Sequence, residues 1–133
     1  MEMNILNWTE TYLKYKDTIH RRIKTLEKKE KKKEIITKHK DGSEQVYICV
    51  NDLNEIDIKK HKEKRISCLN TKKNFEWLVK NWEDVKEQKI IFLFANPKKA
   101  SHWSINPAIH NNITEKGSVK QGLKTLFEST PEV

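Results

Sequence analysis

Asn96, His102, Trp103, Asn106, His110 and Asn111 crowd into one stretch of the chain, together with Ser101, Ser104 and Asn112. Imidazoles move protons near neutral pH, amides hold a ligand through uncharged hydrogen bonds, and an indole stacks on a base or ring. His102 and His110 are therefore the candidates for acid–base or phosphate contact, and Trp103 for a stacking surface. If Pro107 begins a short helix, His110 and Asn111 fall on its first turn, where exposed backbone N–H groups favour an anion. The competing account is structural: Trp103 and Ile105 plug the core while the asparagines cap turns.

Charge defines a second set of residues. Against 19 Asp+Glu stand 27 Lys+Arg, a net charge of +8 with a pI near 9.4, and such a field draws polyanions. The cations gather in two places: Arg21, Arg22, Lys24 and Lys28 with Lys38 and Lys40, and the basic turn of residues 59–65 that holds Lys59, Lys60 and Arg65. If the arm carrying Lys38, His39 and Lys40 lies beside a helix face bearing the first group, one continuous positive surface results. DNA or RNA is then the expected partner, bound through phosphates with release of counterions. Glu27, Glu30 and Glu34 interrupt the run, as they would on a merely solvated helix. Zinc-finger spacing, RNP aromatics and a helix-turn-helix pattern are missing from the sequence, so base-specific reading is not implied.

A metal site would need His102 and His110 with His39, His61, Cys49 or Cys68, none at ligand spacing, so neither metal nor cofactor is expected. Cys49 and Cys68 are too few for a disulfide scaffold and read as buried thiols. Without a leader-like N-terminus or an apolar run of roughly 18 residues, the expectation is a cytoplasmic protein with no membrane contact.

The elements that must position these groups follow from periodicity. Trp8, Tyr12, Tyr15, Ile19, Ile23 and Leu26 recur at steps of three and four, which predicts a basic helix over 8–33 whose end, from Glu27 to Glu34, is a solvated extension or a linker. Residues 34–51 flank Asp41-Gly42 with β-type sequence and predict a hairpin with a type I′ turn. Short runs at 56–58 and 65–69 are candidates for a third strand. Phe75, Leu78, Val79, Trp82 and Val85 stripe a helix over 71–86 capped by Asn70 or Thr71, with Trp77 and Trp82 in the core. The continuous apolar run from Ile90 to Phe94 fits a buried strand over 89–95, covered on both faces. A polar loop at 96–117 follows, then a helix over 118–129 opened by a Ser118/Gln121 capping box.

These elements define a single α+β domain: a small sheet built on an antiparallel hairpin plus a buried strand, packed by N-terminal, middle and C-terminal helices. Helix, hairpin, third strand, helix and strand is also the order of the restriction-endonuclease-like nucleases, but the Glu-x-Lys they require is absent from 56–58 and 66–69. The double-stranded-RNA-binding order is similar too, yet the basic cluster expected at the start of its final helix shrinks here to Lys72 and Lys73. The leading expectation is a nucleic-acid-associated or interaction module without catalysis. The alternative is an enzyme or small-ligand or phosphate binder using the 96–112 loop. A protein partner met through an apolar helix face is a third reading.

Overall fold

A computed structural model describes residues 4–109 and 119–133. Helix α1 (Ile5–His20) starts where the Asn4 side chain accepts from the Asn7 amide at 3.2 Å, a proper N-cap three residues before the expected start. It ends well short of residue 33. Arg21 turns left-handed at φ 50°, and Asp17 Oδ1 accepts from the amides of Arg22 at 2.7 Å and Ile23 at 2.9 Å. A carboxylate that gathers the next two N–H groups offers the backbone an alternative to further helix. Ile23 and Leu26 thus belong to strand β1 (Ile23–Lys29), and the mixed-charge run becomes its end and the turn into β2 (Glu34–His39). The predicted helix 8–33 is corrected accordingly.

Strands β2 and β3 (Glu44–Cys49) form the predicted hairpin, pairing Ile36 with Val46. Its turn is not type I′, because positive φ occurs at Gly42 (91°) and not at Asp41. Asp41 Oδ1 instead accepts from Ser43 N and Oγ at 2.8 and 2.6 Å, and the longer connection needs one left-handed residue. Residues 56–58 form no strand. Two single 3-10 turns, Leu53–Glu55 and Ile58–Lys60, bury Leu53 and Ile58 as the chain crosses to β4 (Arg65–Leu69).

Thr71, not Asn70, caps α2 (Lys72–Lys80), and Asn81 separates it from α3 (Trp82–Glu87), so the predicted single helix is two. Leu78, Trp82 and Val85 point into the core as expected, with Trp77 partly buried against it. Strand β5 (Ile91–Asn96) is buried from Phe92 onward. The loop predicted from Asn96 contains a strand, β6 (Ser101–Ile105), hairpinned onto β5 through a turn in which Ala100 has φ 50°. Residues 107–109 then begin a helical turn, and α4 (Val119–Glu128) closes the described chain. His110, Asn111, Asn112 and Ser118 lie outside the described residues.

Among the described residues the strands form one six-stranded sheet in chain order, β1 to β6. Pairings β3–β4 and β4–β5 are parallel and the others antiparallel. Helix α1 covers one face with Ile5, Leu6 and Leu13 on Ile35, Tyr47, Cys49 and Ala95. On the other, Leu78, Trp82, Val85 and Leu123 pack against Ile48, Ile66, Phe92, Phe94 and Trp103. A sheet covered on both sides accounts for the unbroken apolar run of β5. No helix among the described residues is long and apolar enough to cross a membrane.

Candidate nucleic-acid interface

The stretch after β5 is largely spent on structure. Trp103 is buried, lies flat on Phe94 at 4.4 Å, and donates its indole N–H to Asn70 Oδ1 at 2.8 Å. It is a core plug and not a stacking surface. Asn70, read from sequence only as a possible helix cap, is fully buried and donates to the carbonyls of Thr130 and Pro131 at 3.0 and 3.2 Å. Asn96 donates to the Pro131 and Glu132 carbonyls at 3.1 and 3.3 Å. These amides tie residues 130–132 across the carboxyl ends of β4 and β5, a place where open α/β sheets often receive ligands. Asn106 accepts from the Ile109 amide at 3.5 Å, a capping position for the turn that Pro107 opens.

His102 escapes this fate because neighbours on a strand face opposite ways. It meets α1, with its ring 4.7 Å from Tyr12 and 5.8 Å from Trp8, which stack on each other at 5.1 Å. Burial against these rings and the charge of Lys16 hold its pKa below the ordinary 6.5. Lys16 continues the same side of α1, its ammonium 5.9 Å from the Tyr12 ring centroid.

Lys16 also stands at the edge of a concavity of about 360 Å³ under the last turns of α1. Leu13, Asp17 and His20 share the helical wall, Arg22 and Ile23 close one end, and the sheet contributes Thr37, His39, Gln45, Tyr47 and Arg65. The sheet residues come from β2, β3 and β4, held in fixed register with one another and with β1: Tyr47 pairs with Arg65 and Ile23 with His39. The Arg65 guanidinium lies 5.8 Å from the Tyr47 ring centroid, which orients a flat cation over the floor. Tyr47 donates to Gln45 Oε1 at 3.2 Å, and Thr37 Oγ1 meets His39 Nε2 at 3.0 Å. Burial raises the Tyr47 phenol above its ordinary pKa, opposed by Arg65, so it remains a donor at neutral pH.

Cations outnumber carboxylates in this concavity. Among the described residues Lys16, Arg22 and Arg65 form no ion pair. The acidic lining residue is Asp17, whose Oδ1 is committed to the Arg22 and Ile23 amides, which hold the carboxyl below the usual range with help from Lys40 and His39.

Of the nine predicted phosphate-contacting residues, the structure thus brings Arg22 and Arg65 into one site, with Lys40 beside them through the hydrogen bond its backbone N–H donates to the Arg22 carbonyl at 2.9 Å. Arg21, in its left-handed turn, and Lys24 are exposed close by. Lys28 is drawn away by Glu10 at 3.3 Å and Glu30 at 3.5 Å. Lys38 follows Thr37 and so faces the opposite side of β2. Lys59 and Lys60 sit on the second 3-10 turn, and Lys60 lines a different concavity shared with Glu34, Glu55 and Asp57. Lys28 and Lys38 therefore fall outside the surface expected of the first group, while Lys59 and Lys60 stay apart from it as in the sequence.

Sequence reasoning missed Lys16, Tyr47, Gln45 and Thr37; it set Trp8 and Tyr12 on one helical face, and both rings do pack, partly buried, against the core. One signal was available: Trp8, Tyr12, Lys16 and His20 follow at steps of four, a line along one side of a helix. Both thiols are sealed; burial pushes Cys49 up to about 12 and Cys68 well above the ordinary value, so they stay protonated. Among the described residues no group of three or more His, Cys, Asp and Glu is placed to hold a metal ion. Compared with protein-family models, curated proteins and solved structures, the chain matches none.

Proposed function

We propose that this chain is a nucleic-acid-associated module that works by binding, with the concavity beneath α1 as its phosphate-contacting centre. The observation that carries the reading is the convergence of Lys16 from α1, Arg22 from the turn after it and Arg65 from β4 on one recess, without a carboxylate ion-paired to any of them. Cations held apart from carboxylates leave their donors to an incoming anion, and arginine in particular matches phosphate geometry. The net charge of +8 adds long-range attraction to the same partner. The 96–112 loop supports a ligand site less well, since Trp103 and Asn96 are engaged in packing and in holding residues 131–132.

Fluorescence anisotropy of labelled DNA and RNA across a salt series tests this. Log affinity is expected to fall linearly with log salt, at a slope of about −0.7 to −0.9 per phosphate contacted. Arg22→Ala and Arg65→Ala should each weaken binding at all sequences alike and flatten the slope by about one contact. Absence of binding at low salt overturns the proposal.

A further inference from the structure

The geometry points to an unpaired strand as the ligand: one nucleotide enters the concavity beneath α1, and the neighbouring strand runs along the Lys16–Tyr12–Trp8 side of that helix toward His102. This rests on the proposed function and narrows it to single-stranded nucleic acid. A duplex keeps its bases stacked inside and presents a broad convex backbone, which does not enter a recess of about 360 Å³. The groups that define the site are inside that recess: Tyr47 and Arg65 come from the sheet floor. A base freed from its stack reaches them; a paired one does not.

The recess is mixed in character as a nucleotide requires. Leu13, Ile23 and the Tyr47 ring supply apolar wall, Gln45 and Thr37 supply hydrogen-bonding groups, Arg65 supplies charge on the floor, and Arg22 and Lys16 supply it at the margin. Outside it, residues 8, 12, 16 and 20 share one side of α1. They span about 18 Å at 1.5 Å per residue, which matches roughly five stacked nucleotides at about 3.4 Å each. Cation, ring and ring follow one another along this line, with the exposed His102 imidazole placed edge-on to Tyr12 across it. Positive charge combined with aromatic surface is how strands are held without sequence preference.

Anisotropy with one labelled oligonucleotide, measured single-stranded and after annealing to its complement, in DNA and RNA forms and at matched salt, tests the inference. The single strand is expected to bind at least about tenfold tighter than the duplex, and a nucleoside monophosphate to compete better than inorganic phosphate. His102→Ala and Tyr12→Leu should weaken single-strand binding by about fivefold or more and leave duplex binding unchanged. His102 is exposed, so its variant keeps the test open if Tyr12→Leu disturbs packing. Equal affinity for both forms overturns the inference and leaves polyanion binding standing. Single-strand preference unaffected by both substitutions overturns the assigned track. No binding to either form at low salt removes the proposed function as well.

Discussion

Asn70 does more with one side chain than any residue singled out from the sequence. Its amide accepts from the buried Trp103 indole and donates to two carbonyls of residues 130–131. Asn70→Ala strands these groups together, so a loss of about 2–3 kcal/mol is expected in urea unfolding. Trp103→Phe keeps the ring stack on Phe94 but leaves the Asn70 oxygen unmet, for a smaller loss of about 1–2 kcal/mol. Equal costs would show that packing, not hydrogen bonding, sets the role of Trp103. Asn74 is a parallel case, accepting from the Leu53 amide and donating to the Asn51 and Leu69 carbonyls. Neither residue could be found by type. Sequence marked the asparagines of the 96–112 stretch as polar site candidates, whereas burial decides whether an amide meets a ligand or the protein's own backbone.

At the scale of elements, the β2–β3 turn is the sharpest test of local geometry. Gly42 has φ 91°, and a Cβ built there meets nothing within 4 Å. The cost of Gly42→Ala is therefore conformational, about 1–2 kcal/mol in thermal or urea unfolding, with Gly42→Asn milder because asparagine tolerates the left-handed region. A neutral Gly42→Ala would mean that the hairpin changes turn type without penalty. The hairpin and the Leu78–Val85 stripe were legible because each obeys a single period, and β5 because its apolar run is unbroken, as burial on both faces requires. Helix α1 was overextended because Ile23 and Leu26 continue its spacing by coincidence, and what ends it is a side chain, Asp17, reaching the backbone. Strand β6 was hidden since Ser101, His102 and Ser104 look like loop residues, although Trp103 and Ile105 alternate with them toward the core. The concavity was not legible at all: its lining residues are scattered along the chain and meet through sheet register.

For the whole molecule, two imidazoles set the response to mild acid. His61 is lowered from 6.5 by burial first and then by Lys64, and His102 by burial and then by Lys16. A histidine with a depressed folded-state pKa binds fewer protons folded than unfolded. Its contribution is complete above about pH 6.5 and is lost as pH falls through the lower folded value. Thermal midpoints should thus decline from pH 7.5 toward 5, before the lowered carboxylates Asp17, Asp41 and Asp52 begin to protonate below 3.8. Replacing His61 and His102 together should flatten that first decline, and a midpoint independent of pH between 7.5 and 5 would contradict the assignment.

The strand order has a kinetic corollary. Because every strand lies against its predecessor in sequence, the sheet can lengthen by accretion as the ribosome releases the chain, each newcomer using the last-formed edge as its template. The nascent polypeptide never has to hold a gap open for a later arrival, which shortens the time that an unfinished β edge is exposed to other chains.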